Sequence, residues 1–118
     1  NLLWLIKLFL SLLLSNHDFI YVEDVARCNV DAIKSKTNFG FYNVGAEVQT
    51  TIKELCDTIL RLKKSQLKVT YKPYSADDAR ALVQNRIGSR QKAEKEIGFK
   101  YNYSLEEGLL THLTHENR

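Results

Sequence analysis

Between Asp18 and Ala26 the spacing of apolar side chains changes from strand-like to helix-like within one residue. Phe19, Ile20, Tyr21 and Val22 form a short continuous run of β-branched and aromatic residues, which predicts a strand covered on both faces. From Glu23 the apolar positions become Val25, Ala26, Val30 and Ile33, the spacing of one helix face, with Glu23 and Asp24 in the first turn where the macrodipole favours acids. This helix is expected to run to Lys34 and to end in the turn formers Ser-Lys-Thr-Asn. The same plan then repeats. Phe39–Val44 predicts a second strand with Gly40 and Gly45 at its ends, and the next helix opens at Thr50 or Thr51. Thr51-Ile52-Lys53-Glu54 has the form of a capping box, and Ile52, Leu55, Ile59 and Leu62 supply one apolar face. Arg61, Lys63 and Lys64 close that helix with the charge its C-terminus prefers, a solvated turn rather than a phosphate patch.

Further along, Leu67, Val69 and Tyr71 alternate with Lys68, Thr70 and Lys72, a half-buried strand stopped by Pro73. A polar loop runs through Ser75, Asp77 and Asp78 to Arg80, and Leu82–Ile87 reads as a short extended piece. A helix carrying Ala93 and Ile97 ends at Gly98, a left-handed C-cap. Ser104-Leu105-Glu106-Glu107 is a second capping box, opening a last helix with Leu105, Leu109, Leu110 and Leu113 on its apolar positions. Residues 2–14 are different, a leucine-rich run broken by Lys7 and Ser11 that predicts a helix apolar almost all round. It is shorter than the roughly 18 apolar residues that span a bilayer. It reads first as a packed helix, with an interfacial or membrane-inserted segment and a sequence that has lost its partner as the alternatives. A signal-peptide core fits the length, but no basic segment precedes it and no small-residue cleavage site follows.

A chain of 118 residues with 44% hydrophobic content is long enough for one modest domain. Its 17 basic and 14 acidic residues are interspersed, so the net charge of +3 makes no cationic field and nucleic acid is not an expected partner. Cys28 and Cys56 lack any close spacing and are expected to be buried, reduced thiols. The sequence contains no Met, which suggests a fragment or processed product.

No catalytic set stands out. Gly40 to Gly45 has the glycine spacing of a phosphate loop, but Ala46 and Glu47 occupy the places of its Lys and Ser or Thr, and an acid there repels phosphate. There is no G-x-G-x-x-G turn and no G-x-S-x-G elbow. His112 and His115 lack an acid or Cys pair that would complete a metal shell, so no metal site is expected.

The order of the pieces is more telling. Asp-Phe-Ile-Tyr-Val-Glu-Asp-Val-Ala, Phe-Tyr-Asn-Val-Gly, Thr-Thr-Ile-Lys-Glu-Leu, a strand and polar loop, then Ser-Arg-Gln-Lys-Ala-Glu-Lys-Glu-Ile-Gly-Phe and Ser-Leu-Glu-Glu-Gly-Leu follow one another over residues 17–118. This succession resembles the C-terminal portion of the NAD-dependent epimerase/dehydratase family, the extended short-chain dehydrogenases that act on nucleotide sugars. The resemblance implies an α/β fold of short strands alternating with helices, the C-terminal substrate-binding lobe in residues 17–118, preceded by a leucine-rich helix in 1–16 outside the family pattern. It implies a UDP-sugar-type ligand, a cytoplasmic location and, for complete family enzymes, NAD as cofactor and frequent homodimers.

Carried over by position, the resemblance implies substrate contacts from His17, Phe19, Thr51, Asp78, Arg80 and Arg86. His17 stands where the family usually has an Arg that binds substrate phosphate, and histidine is a weaker, pH-dependent anion ligand. Ser75 takes roughly the place of a second phosphate-binding Arg, a role to which Arg80 or Arg86 is suited. The family's glycine-rich NAD turn is missing and no Tyr has Lys four residues later, so neither NAD binding nor turnover is expected of this chain alone. The alternative function is a non-enzymatic interaction or membrane-associated piece that docks through its leucine-rich helix.

Overall fold

Residues 15–71 and 85–116 are described by a computed structural model. The leucine-rich run at 2–14 and the loop carrying Asp78 and Arg80 lie outside them. The described residues form a mixed α/β structure: helices α1 (Val22–Lys34), α2 (Ile52–Leu62), α3 (Gln91–Ile97) and α4 (Leu105–Glu116), with two-residue strands β1 (Asn16–His17), β2 (Thr50–Thr51) and β3 (Asn85–Arg86). They divide into two units. The first comprises Asn1–His17 and Gln49–Arg86, and contains the three strands and α2; the second comprises Asp18–Val48 and Ile87–Arg118, and contains α1, α3 and α4.

In the first unit the strands lie in the order β2-β1-β3, with β1 antiparallel to β2 and parallel to β3. The parallel β1–β3 pair joins segments far apart in sequence, a pairing that no local pattern announces. α2 starts where the sequence places it. The Thr51 hydroxyl accepts from Glu54 N at 3.1 Å while Glu54 Oε2 accepts from Thr51 N at 2.7 Å, the reciprocal pair of a capping box. Past α2, residues 67–71 carry no ladder, and Leu67 is exposed, so the strand expected at Leu67–Tyr71 does not form there.

The second unit is built around Cys28, Ala93, Ile97 and Phe99, with Ile20, Ala32, Tyr42, Val44 and Tyr101 packed against them. Ala93 has no side chain beyond its methyl, which allows α1 and α3 to pack closely. Gly98 follows α3 with φ 73°, a left-handed cap that glycine adopts without strain. The cap lets Phe99 N donate back to Ala93 O at 3.2 Å and turns the Phe99 ring into the core. Burying such a ring contributes about 1.5–3 kcal/mol. α4 opens with its expected capping box, Glu107 N donating to Ser104 Oγ at 3.2 Å and Ser104 N to Glu107 Oε2 at 2.9 Å.

The two expected strands of this unit are absent. At 18–21 there is no ladder, and Tyr21 instead becomes the N-cap of α1, its carbonyl accepting from Asp24 N at 3.0 Å. At 39–44 the side chains do alternate, Phe41 and Asn43 exposed while Tyr42 and Val44 turn to the core, but no strand pairs with them among the described residues. Periodicity without a cross-strand partner leaves an unladdered segment. Its contacts come from side chains: Lys92 Nζ donates to Phe41 O at 3.1 Å and Tyr42 OH to Glu96 at 2.7 Å.

The buried face of α1 also differs from expectation. Asp24 and Cys28 are buried, with Val25 and Ala32 half-buried, whereas Val22, Ala26, Val30 and Ile33 lie on an exposed stripe. The apolar spacing was shared by two faces, and the choice fell to the one centred on Asp24. That carboxylate is fully buried and accepts from Arg27, from Tyr103 N at 3.0 Å and from Asn102 N at 3.3 Å. It therefore ties the first turn of α1 to the chain entering α4. The cysteines are both free, Cys28 buried and Cys56 only partly so. Burial and the nearby Asp31 charge push the Cys28 thiol up, which keeps it protonated and unreactive. No helix among the described residues is long and apolar enough to cross a membrane.

Removing the Asp24 carboxylate leaves two main-chain donors without their acceptor and the Arg27 guanidinium with the Lys100 carbonyl alone. Asp24→Ala is expected to destabilise the fold by about 3 kcal/mol, read from denaturant unfolding. Thr51→Ala, which removes one cap oxygen, is expected to cost about 0.5–2 kcal/mol in the same measurement.

Candidate functional site

In the small sheet His17 is directly opposite Thr50 across the antiparallel pair and opposite Arg86 across the parallel one. Directly opposed residues point to the same face of a sheet, so Thr50, His17 and Arg86 form one row. Ser15, two residues before His17, shares that face, and its hydroxyl lies 3.1 Å from His17 Nε2. Thr50 and Ser15 are buried, His17 is half-buried and Arg86 is exposed. The row thus offers an imidazole, a guanidinium and hydroxyls, with no acid among its members. Such a set suits an anion, for which a guanidinium donates paired charge-assisted hydrogen bonds.

The opposite face holds Asn16, Thr51 and Asn85, and Asn16 Nδ2 donates to Asn85 Oδ1 at 3.1 Å. Thr51 therefore belongs with the asparagines, and its hydroxyl is engaged with Glu54 in the helix cap. Of the six residues expected to touch substrate, His17 and Arg86 are brought together by the sheet. Phe19 belongs to the second unit and is half-buried there. Asp78 and Arg80 lie outside the described residues.

The second unit holds a polar constellation of its own. Asp18 Oδ1 accepts from Ala46 N at 2.8 Å, and Asp18 Oδ2 from Glu47 N at 3.2 Å and Gly88 N at 3.4 Å. A Cβ on Gly45 would collide with this carboxylate, so glycine is needed for the close approach. Glu47 adopts φ 57°, a left-handed conformation uncommon for a residue with a side chain. It is held there from two directions, by Asp18 at its N–H and by Arg90 N donating to its Oε1 at 2.6 Å. The Arg90 guanidinium donates to Ala46 O and to Glu94 Oε1, and lies 5.0 Å from the centre of the Tyr101 ring. Ala46 and Glu47, which follow the glycine-spaced stretch, therefore turn their amides toward a carboxylate. An anion cradle requires those same N–H groups free.

An open groove of 390 Å³ also lies in the second unit, lined in part by Ile33, Thr37, Phe39, Tyr42 and Ile97. It contains none of the residues expected to bind substrate. Among the described residues there is no cluster of His, Cys, Asp and Glu able to hold a metal ion.

No family model matches the chain. Relatives nonetheless agree closely with one another. A bifunctional UDP-glucose 4-epimerase and UDP-xylose 4-epimerase from Arabidopsis thaliana is 32% identical over 95 residues, covering 76% of this chain and 26% of its own length. The UDP-glucose 4-epimerase of Thermotoga maritima, solved with UDP-glucose, superposes with a TM-score of 0.78 at 27% identity, over 89% of this chain and 32% of that one. The Bordetella bronchiseptica enzyme WbmF, in complex with NAD+ and UDP, matches 97% of this chain and 35% of its own at a TM-score of 0.69 and 26% identity. The chain belongs to the NAD-dependent epimerase/dehydratase family. It corresponds to the C-terminal portion of these extended short-chain dehydrogenases and spans about a third or less of the length of the relatives it matches.

Within the family pattern the sequence singled out His17 and Phe19 and passed over the Asp18 between them. Asp18 sits inside the Asp-Phe element itself, and a carboxylate flanked by a Gly-Ala-Glu turn elsewhere in the chain was the available signal. Thr50 was considered only as a helix start, because its alignment with His17 depends on a pairing between separate segments. Arg90 was hidden in the Ser-Arg-Gln-Lys stretch, read as the opening of a helix.

Glu47 sits well placed to report on this arrangement. Its carboxyl is held below the ordinary value of 4.5, chiefly by the Arg90 backbone N–H, then by the Ser89 side chain and the Arg90 charge. Glu54 and Glu107 are held below theirs by the backbone N–H groups they cap. Because the folded values lie below the unfolded ones, this stabilisation is fully present above the ordinary carboxylate range and is lost as pH falls through the depressed values. Denaturant unfolding from pH 7 to pH 3 is expected to show falling stability below about 4.5. Glu47→Gln is expected to flatten that dependence.

Proposed function

We propose that this chain is the nucleotide-sugar-binding part of an epimerase or dehydratase, binding the diphosphate of a UDP-sugar without catalysing its conversion alone. The observation that carries the reading is the row Thr50–His17–Arg86, which gathers two cationic or proton-donating side chains from separate segments onto one sheet face without an acid. His17 and Arg86 supply the phosphate contacts, with Arg80 from the adjoining loop. Phe19 packs on the base or sugar. Asp78 is a further contact that the family resemblance implies, while Thr51, on the other face of the sheet, serves as the cap of α2. UDP or UDP-glucose is present in the solved relatives described above.

In the complete family enzymes NAD supplies the hydride chemistry, taking a hydride from a sugar hydroxyl carbon and returning it or allowing water to leave. The residues of this chain do not fit NAD. The sequence has no G-x-G-x-x-G turn and no Tyr-x-x-x-Lys pair. The amides of Ala46 and Glu47, the nearest thing to a phosphate loop, are taken up by Asp18. What the chain's own residues do is bind and orient: Arg86 offers a fixed planar fork, His17 a directional N–H, and Thr50 a buried hydroxyl beside them.

Calorimetric titration tests both halves of this reading. UDP is expected to bind saturably, and His17→Ala with Arg86→Ala to weaken it by about tenfold or more, the loss of at least one charge-assisted hydrogen bond. NAD is expected to give no saturable heat. A UDP isotherm unchanged by the double substitution would overturn the assignment, and saturable NAD binding would overturn the second half.

A further inference from the structure

We infer that Ser15 is the positioning residue of the phosphate-binding row, holding the His17 imidazole at one angle to the sheet face. This deepens the nucleotide-sugar reading above and rests on it for the identity of the ligand. Ser15, His17, Thr50 and Arg86 all belong to the first unit.

Ser15 and His17 are two residues apart along the segment that enters β1, so their side chains rise from the same face. Ser15 is 7% exposed, and its Oγ lies 3.1 Å from His17 Nε2. Such a hydroxyl is a fixed reference point, because its oxygen is one bond beyond Cβ and a single staggered torsion sets its place. The imidazole is the opposite case. Its half-buried ring turns about a terminal torsion with a broad energy profile, so covalent geometry alone does not decide where its nitrogens aim. The hydrogen bond between the held oxygen and Nε2 makes that decision. Ordering the ring before a ligand arrives removes a cost that binding would otherwise carry.

The chemistry of the partner matters as much as its place. A carboxylate would orient the ring as well, but it would bring a negative charge into a row that has no acid among its members. A hydroxyl adds no charge. It is both donor and acceptor, so it keeps its bond to Nε2 whichever tautomer or charge state the ring takes. An arginine in place of His17 would need less support, since its planar fork carries several donors on one rigid group. The hydroxyl is therefore matched to a histidine. Ser15 touches no ligand in this scheme; its effect on binding is carried by His17.

The test is a double-mutant cycle on the full chain, with UDP as the probe and the ring itself as a second readout. Ser15→Ala is expected to weaken UDP binding about three- to tenfold in calorimetry, the loss of one neutral hydrogen bond. In the His17→Ala background the same substitution is expected to change the affinity by less than about twofold, since no ring is left to hold. In the ligand-free chain, carbon NMR relaxation is expected to show a His17 ring as ordered as the His17 backbone. Ser15→Ala is expected to raise the motion of the ring and to leave that of the His17 amide as it was. Equal losses of affinity with and without His17, or a ring whose motion Ser15→Ala leaves unchanged, overturn the inference. A parental ring more mobile than its own backbone overturns it too, so the idea remains exposed even if Ser15→Ala does not fold. Should the parent bind no UDP, the nucleotide-sugar reading falls, and the positioning role is decided by ring relaxation alone.

Discussion

A buried carboxylate accepting main-chain N–H groups is the interaction on which the second unit depends. Asp24 is as buried as any residue in it, yet it is no liability, because Arg27 and the amides of Asn102 and Tyr103 satisfy it. A buried charge without such partners costs several kcal/mol. Once Asp24 faces inward, α1 can present only one of its two apolar stripes to the core, and Cys28 and Ala32 go in with it. The chain entering α4 follows, since its amides are the acceptor's partners. Tyr21 and Tyr103, whose rings are 4.8 Å apart, close the same corner by packing.

This interaction explains why the helices were legible and the strands were not. Helix ends are specified by side chains three residues away, so Thr51 with Glu54, Ser104 with Glu107, and Gly98 all act where the sequence shows them. A strand is specified by its partner. Residues 39–44 have the alternation of a strand, with Tyr42 and Val44 on the core side, and still lack a ladder because alternation describes side chains rather than hydrogen bonds. Conversely, Asn16–His17 and Asn85–Arg86 are strands made of polar residues that no hydrophobic period would select. Family resemblance reached the α/β class because it compares the order of whole elements, which survives even where individual ladders are short.

The misassigned face of α1 has the same root. Val25, Ala26, Val30 and Ile33 have helical spacing, but spacing alone counts apolar residues and treats Asp24 as solvent-facing. The structure weighs hydrogen bonds as well, and burying one satisfied carboxylate leaves Val22, Val30 and Ile33 on the outside. Charged residues are almost never fully buried unless paired. A rule built on that tendency fails where pairing is complete, as it is here.

Site residues were legible to the extent that they lie within a contiguous motif. His17 was found through its place beside Asp18 and Phe19, whereas Thr50 entered the row only through the β1–β2 register. On the proposed reading His17 stands where the family resemblance implies an arginine, and the two side chains act differently in such a row. An arginine brings fixed charge and two parallel donors, whereas an imidazole offers one N–H on each of two differently placed nitrogens, and here Ser15 Oγ lies beside Nε2. The hydroxyl constrains the ring's orientation. The permanent charge of the row rests with Arg86. Because Arg86 is exposed, its attraction for an anion is screened by salt unless a bound ligand excludes water from it. The row itself depends on the register of three two-residue strands, since a one-residue slip would carry His17 or Arg86 to the opposite face.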